Sequence, residues 1–275
     1  MRVIVCALFE ICWLGFIKIV FLVSLCNTQL LINVKNQGGE VFQETITANV
    51  SDDAVMLEFQ RADGTLVTQL VDFRHEVQIL KALVLGEEER GQSQYQVMCF
   101  VCHINKDEFI SSDAMAKLRQ KNPGAVRLPE EDRGRDNYTL DLFVDVARSS
   151  VISKHIAVLC SEAADATYTR RADLEVWSQQ SGVSLSTLLS VVKEYPTSSL
   201  SNRLHPPSRC LETPSLWSAC SCHLELCIGW YPCSLKYCKG KGQDNSTYRC
   251  GIKTCKKCNL FSYYVRQKQL CLWDE

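Results

Sequence analysis

The segment that decides the fold is CHLELCIGWYPCSLKYCKGKGQDNSTYRCGIKTCKKC, residues 222–258. It holds seven of the sixteen cysteines in the 275-residue chain, and these either bind a metal or form disulfides. The Cys255-Lys-Lys-Cys258 knuckle has the spacing of a zinc ligand pair, but a structural zinc site usually needs a second knuckle or histidines. The other spacings are irregular, and His223 is the one histidine nearby. This pattern favours disulfides and makes zinc the weaker interpretation.

The N-terminus indicates the compartment. Residues 1–26 combine a basic start with an apolar run from Ile19 to Leu25 and with Ser24 and Cys26 at the −3 and −1 positions of a cleavage site. This is the pattern of a secretory signal peptide, with a retained membrane anchor as the alternative. Closely spaced thiols form disulfides in an oxidising extracellular compartment. We therefore expect a secreted, disulfide-bonded protein whose mature chain has no membrane span.

Three N-x-[ST] sequons agree with secretion, although such triplets also occur by chance. We predict glycosylation at Asn49, Asn137 and Asn245.

Charge is unevenly distributed along the chain. Residues 1–199 carry a net charge of −7 and residues 200–275 a net charge of +6. The cations of the tail would attract sulfated glycans or acidic proteins if they formed one face. A solvated basic surface is the alternative, and nucleic acid is not an expected partner. The candidate glycan-binding residues are Lys236, Lys239, Lys241, Arg249, Lys253, Lys256 and Lys257.

Hydrophobic periodicity predicts strands in the first part of the chain. Apolar residues alternate over 30–35 and 41–46, and Asp63-Gly64 between two apolar runs signals a hairpin. YQVMCFVCHI (95–104) has the pattern of a strand covered on both faces. The polar run LPEEDRGRDN (128–137) is expected to be a loop.

Helices are predicted around these strands. Ser111 or Ser112 can cap a helix that stops before Pro123. Apolar residues at helical spacing predict further helices over 152–163, around Trp177, and over 185–192. The mixture indicates an α+β fold.

Composition suggests two modules. We predict a signal peptide over 1–26, an α+β domain over 27–192, a Ser- and Pro-rich linker over 193–209, and a cysteine-rich module over 210–275. The upstream domain has three cysteines, Cys99, Cys102 and Cys160. Either Cys99 or Cys102 can pair with Cys160, and one thiol is left over. The module has an even set that can pair internally, namely Cys210, Cys220, Cys222, Cys227, Cys233, Cys238, Cys250, Cys255, Cys258 and Cys271.

Several stretches together resemble the out at first family of secreted proteins. These are ADGTLV (62–67), AMAKLRQKNPGAVR (114–127), WYPCSLKYC (230–238), YRCGIKTC (248–255) and QLCLWDE (269–275). The resemblance covers most of the mature chain. It implies a first domain similar to BRICHOS domains, with a central sheet flanked by helices, followed by a small disulfide-rich module.

The resemblance also assigns residues. It places the conserved aspartate of the BRICHOS pattern on Asp72 and its two cysteines on Cys99 and Cys160. Family members generally lack cysteines at the positions of Cys102, Cys227 and Cys258, which implies an added Cys227–Cys258 bridge and leaves Cys102 without a role. Several BRICHOS domains act as chaperones on β-prone segments, so the family likeness implies a similar activity here.

Catalysis is not expected. The chain has no nucleophile elbow, zinc-protease motif or nucleotide-binding loop, and no cofactor is implied. His155 and Cys160 are better explained as a surface histidine near a disulfide than as a catalytic pair. Asp72 is either an exposed strand residue or a buried carboxyl with a raised pKa.

The sequence thus predicts a protein that acts by binding. The first interpretation is a secreted disulfide-rich glycoprotein that is chaperone-like toward extended polypeptides through its first domain. The alternative is an extracellular signalling ligand, or a matrix- or glycan-binding protein, that acts through the cysteine-rich module.

Overall fold

A computed structural model describes residues 28–35, 39–93, 95–120, 122–180, 182–195, 208–239, 247–271 and 273. The signal peptide predicted over 1–26, most of the predicted linker, Lys241 and Asn245 lie outside these residues. Half of the described residues lie in strands and about a fifth in helical turns. No helix of the described part is long and apolar enough to cross a membrane.

The first sheet has ten strands, and apolar alternation accounts for most of them. Its first six strands in the chain are long and mostly joined by tight turns, at one of which Gly64 adopts a φ of +85°. They are β1 (Thr28–Lys35), β2 (Val41–Asn49), β3 (Ala54–Gln60), β4 (Leu66–Asp72), β5 (Val77–Leu85) and β6 (Tyr95–His103).

Four short strands complete this sheet. They are β7 (Val126–Arg127), β9 (Leu142–Val144), β10 (Thr167–Thr169) and β11 (Val192–Glu194), and the strand order is β11-β9-β10-β6-β5-β4-β3-β2-β1-β7. Pairing is antiparallel except between β10 and β6 and between β1 and β7.

The second sheet comes largely from the cysteine-rich tail. It has the order β12-β13-β8, with β12 (Cys220–Lys239) and β13 (Thr247–Val265) forming a long antiparallel hairpin. The third strand, β8 (Glu131–Thr139), pairs parallel to β13. The polar run at 128–137, predicted to be a loop, is therefore largely a strand.

The main core lies between the two sheets. Phe100 of β6 stacks on Phe261 of β13 with ring centroids 4.2 Å apart, and Tyr138 of β8 stacks on the same Phe261 ring. Leu80 and Leu224 are buried in the same cluster. Residues of the tail and of the upstream region therefore share one core.

The helices are short. They are α1 (Ser112–Ala116), α2 (Lys154–Leu159), α3 (Arg171–Gln180) and α4 (Leu185–Leu189). Ala114 and Met115 of α1 pack into the core between the two sheets, whereas α2, α3 and α4 gather on part of the opposite face of the large sheet. Ile156 of α2 and Leu174 and Trp177 of α3 pack with Ile79 and Val101 of the sheet. Ser111 caps α1 as expected, since its hydroxyl accepts a hydrogen bond from the Ala114 amide.

The prediction of an α+β, BRICHOS-like sheet flanked by helices is therefore wrong. The chain is mostly β, and the second sheet, rather than helices, covers one face of the large sheet. The physical reason is the hairpin of the tail, whose core-facing residues alternate over Cys220–Ile228 and match the apolar face of the first sheet.

Candidate functional site

Six disulfides define the region around the hairpin. They are Cys99–Cys160, Cys210–Cys220, Cys222–Cys271, Cys227–Cys258, Cys233–Cys255 and Cys238–Cys250. Cys160 is thus bonded to Cys99 and is not a free nucleophile beside His155. Cys102 is a buried free thiol, and burial raises its pKa.

The position of Cys102 explains why it does not compete for Cys160. Residues three apart on a strand point to opposite faces. Cys99 faces the helices, whereas Cys102 faces the core between the sheets.

A crevice of about 1420 Å³ opens beside the edge strand β12. It lies where the start of β2, the turn between β3 and β4, and the segment before β8 approach the hairpin. Its walls include the apolar residues Val41, Phe42, Phe59, Leu128, Leu224 and Ile228. Val41 is 54% exposed and Leu128 is 65% exposed, so part of this apolar surface is open to solvent.

Acidic residues dominate the polar part of the crevice. The basic residues are Lys35, Arg61, His223 and Lys256, whereas the acidic residues are Glu40, Asp63, Glu130, Glu131, Asp132 and Glu225. The Arg61 guanidinium donates a hydrogen bond to the Glu225 carbonyl oxygen at 3.3 Å, which ties the turn between β3 and β4 to β12. The crevice therefore combines apolar walls, an acidic surround and the edge of a sheet.

Comparison with known proteins identifies the family. The Out at first family matches residues 28–177, and the Out at first C-terminal family matches residues 209–275. The chain belongs to the Out at first family. The resemblance predicted from the tail motifs is thereby confirmed.

Two curated members of the Out at first family illustrate the similarity. An Out at first protein of Drosophila virilis is 57% identical over 274 residues, which cover 96% of this chain and 88% of that protein. An Out at first protein of Drosophila melanogaster is 58% identical over 264 residues, which cover 92% of this chain and 53% of that protein. No solved structure matches the chain.

The basic residues predicted to form an open face are largely neutralised in this family member. Lys236 pairs with Glu130 at 2.6 Å, Lys253 pairs with Glu131, and Lys256 pairs with Asp132 at 2.8 Å. Lys257 contacts Glu108 and Asp136, at 2.6 and 2.8 Å. Most of these acids come from 130–136, so carboxylates offset the positive charge of these four lysines, and glycan binding by this face stays a prediction.

The two other described cations of that set, Lys239 and Arg249, make no ion pair with a described residue. Arg249 donates a hydrogen bond to the Ala114 carbonyl oxygen. The described part of the predicted glycan site is therefore reduced to one end of the hairpin.

Because carboxylates pair with four lysines of the hairpin, removing the carboxylates should strengthen binding of the protein to heparin. Replacing Glu130, Glu131, Asp132 and Asp136 with their amides should free Lys236, Lys253 and Lys256, leave Lys257 with Glu108 alone, and raise the NaCl concentration for heparin elution on the order of 0.1 M. A matched variant with the amides at Glu87, Glu88, Glu89 and Glu175 changes net charge equally, away from the hairpin. Equal elution shifts for the two variants would show that only net charge matters.

Asp72 lies at the end of β4 and is 1% exposed. The Ser153 hydroxyl donates to its Oδ2 at 2.7 Å, and His75 Nδ1 lies 2.7 Å from the same oxygen. The amides of Arg74 and His75 donate to Oδ1 at 3.1 and 3.2 Å. Asp72 therefore holds the turn between β4 and β5 and connects it to the start of α2.

Asp72 is buried, but its pKa shifts in the direction opposite to the one expected. Burial raises the pKa, but the hydrogen bonds from Ser153 and His75 together outweigh burial, so the pKa lies below its ordinary value. The arrangement is not a catalytic triad, because the carboxylate bridges the hydroxyl and the imidazole and Ser153 is fully buried.

Asp72→Asn should therefore destabilise the protein at neutral pH by about 1–3 kcal/mol, because it removes charge-assisted hydrogen bonds. A depressed folded-state pKa adds stability above the unfolded pKa, near 3.9, and this stability is lost as pH falls through the folded pKa. The difference between the two proteins in urea unfolding should shrink below about pH 4. A more stable variant at pH 7 would contradict the network.

Glu44 is a buried acid that the sequence analysis missed. It points from β2 into the core between the sheets and is fully buried. The Gly229 amide of β12 donates to its Oε1 at 3.2 Å, while its Oε2 has no hydrogen-bond partner among the residues that the structure describes. Burial raises its pKa from an ordinary value of 4.5 to about 8, against the lowering effect of the Trp230 and Gly229 amides.

The structure places two predicted glycosylation sites. Asn137 is exposed on β8. Asn49, the last residue of β2, is half-buried; its Nδ2 donates to Asp52 at 2.9 Å and its Oδ1 accepts from Ser51.

Proposed function

We propose that this protein is a secreted, glycosylated binding protein without enzymatic activity, whose crevice takes an extended polypeptide segment. The crevice beside β12 is the observation that carries this proposal. An edge strand offers backbone groups to an added strand, and adjacent pockets select its side chains. The large apolar wall next to this edge supplies such a pocket.

Secretion is supported by chemistry. Twelve of the thirteen cysteines in the described part of the chain are paired, which is typical of oxidising compartments and rare in the cytosol. The signal-like pattern of 1–26 and the exposed Asn137 sequon agree with export and glycosylation.

The charges around the crevice define the kind of segment. The crevice lining holds six acidic residues against three lysines and arginines and one histidine, and five of these acids pair with Lys or Arg of this chain, so a basic partner binds by taking over those exposed ion pairs. The apolar walls favour large aliphatic or aromatic side chains between those cations. The proposed ligand is therefore an extended segment that alternates apolar and basic residues, because successive side chains of a strand point to opposite faces. A chaperone-like activity rests here on the crevice rather than on likeness to BRICHOS domains.

Affinity measurements with crevice variants test this proposal. We expect Val41→Lys and Leu128→Lys together to weaken binding of a labelled peptide of alternating Lys and Leu by at least about tenfold, because they insert like charge and remove apolar contact. The matched control replaces Val158 and Leu211, which are 79% and 50% exposed and lie away from the crevice. Equal affinity of both variants, measured by fluorescence anisotropy, would refute the crevice as the site.

A second candidate function places the contact at the far end of the hairpin. Tyr237 and Tyr248 are 64% and 56% exposed there, beside Lys239. Exposed aromatic residues next to a cation suit a receptor contact. Tyr237→Ala with Tyr248→Ala should abolish binding to cells under this alternative and leave peptide binding in the crevice intact.

A further inference from the structure

One disulfide differs from the others in its surroundings. Cys227 is exposed, Cys258 is half-exposed, and both line the crevice. The other bridges are buried, apart from Cys238–Cys250 near the free end of the hairpin. The fully buried disulfide cysteines are Cys99, Cys160, Cys210, Cys220, Cys222, Cys233, Cys255 and Cys271.

This bridge adds little to the connectivity of the hairpin. Cys227 and Cys258 are direct neighbours across β12 and β13, with their Cα atoms 4.0 Å apart. The Cys222–Cys271 and Cys233–Cys255 bridges lie on either side of it along β12. If the Cys227–Cys258 disulfide opens, β12 and β13 therefore stay hydrogen-bonded to each other, and the two flanking disulfides still cross-link the hairpin.

The charges around the two sulfurs select what can reach them. A carboxylate oxygen of the exposed Glu225 and both Sγ atoms lie within 4.8 Å of one another. Lys256, two residues before Cys258, also lines the crevice and pairs with Asp132. Glu225 also pairs with the exposed Arg135 at 3.5 Å. Because this pair is open to solvent, a Lys or Arg of an incoming segment can replace Arg135 at the carboxylate, and such a cation also lowers the pKa of the incoming thiol.

We infer that Cys227–Cys258 is an exchangeable disulfide that captures a cysteine-bearing basic segment covalently in the crevice. The thiolate of the segment attacks Sγ of the more exposed Cys227 and forms a new S–S bond. The Cys227–Cys258 bond breaks, and Cys258 leaves as a thiolate that takes a proton from water. The incoming thiol is oxidised and Cys258 is reduced, so no other oxidant or reductant is needed.

Return attack by Cys258 on the mixed disulfide reverses the step and releases the segment. Capture of a segment rests on the proposed binding function, whereas the exchange itself does not and is tested with a small thiol.

Reduced glutathione tests the exchange on the full-length secreted protein. After quenching with an alkylating agent, peptide mapping should place glutathione or alkyl groups on Cys227 and Cys258 at least about tenfold faster than on the buried bridges. Cys227→Ser with Cys258→Ser should lose this fast phase, and the matched variant Cys238→Ser with Cys250→Ser should keep it. Labelling at equal rates across the bridges, or none at Cys227 and Cys258, would overturn the inference.

A peptide arm separates the two proposals. A Lys- and Leu-containing peptide with one cysteine should form an adduct on Cys227 faster than glutathione does, and Val41→Lys with Leu128→Lys should slow only the peptide. If glutathione exchange is selective but the peptide shows no advantage, the exchange stands and the binding function fails. If the peptide binds in the crevice yet neither thiol reacts there, binding stands and the exchange fails.

Discussion

Replacing Cys99 and Cys160 with alanine should lower the free energy of unfolding by about 4 kcal/mol. The bridge closes a loop of 61 residues and joins β6 to the end of α2, so its loss frees much conformational entropy in the unfolded chain. Both cysteines are fully buried in the smaller core between the sheet and the helices. Denaturant unfolding of the purified protein measures the loss.

The exposed Cys238–Cys250 bridge is the matched control. It closes a loop of 12 residues, so its replacement by alanine should cost about 3 kcal/mol at most. A loss for the Cys99–Cys160 pair that is equal to or smaller than the control loss would contradict the assigned role of the buried bridge.

Glu44→Gln should remove a fall in stability that the wild-type protein shows between about pH 4.5 and pH 8. In this window Glu44 is ionised in the unfolded chain and protonated in the folded one. The native state then binds more protons, so stability falls as pH rises through the window and levels off above the folded pKa. With a shift from 4.5 to about 8, the difference amounts to about 4–5 kcal/mol.

Thermal or urea unfolding at several pH values measures this effect. The free energy of unfolding of the glutamine variant should increase relative to that of the wild type as pH rises from 5 to 8. The exposed Glu40→Gln is the matched control and should keep the wild-type slope. Parallel curves for Glu44→Gln and the wild type would show that Glu44 is not buried as a neutral acid between the sheets.

Local signals predicted the strands well, because their causes lie within a few residues. Alternation predicted β1 and β2, and the apolar runs on either side of Asp63-Gly64 predicted the hairpin of β3 and β4. The same alternation could have predicted that Glu44 is buried, which the sequence analysis missed. Phe42, Glu44, Ile46 and Ala48 fall on one face of β2, so the buried face had to include the acid.

The second sheet could not be predicted locally, because its third strand depends on distant partners. The polar segment 130–136 has little strand propensity, and it is held by lysines about 120 residues later. Its pairing also converts the predicted cationic face into a set of ion pairs. The expectation of a raised pKa for a buried Asp72 was wrong for the same reason. The Ser153 hydroxyl, which lowers this pKa, lies 81 residues away in the chain.

The central claim is that the crevice beside β12 binds an extended basic and apolar segment. Hydrogen–deuterium exchange with a saturating peptide of alternating Lys and Leu tests it most directly, because it locates the binding site on the wild-type protein. If the crevice is the binding site, amides should gain protection over 40–42, 60–63, 128–132 and 223–229, which surround it. The free end of the hairpin, 234–239 and 247–250, should stay unchanged. Protection confined to that end, or no change along the crevice when the peptide is bound, would contradict the account.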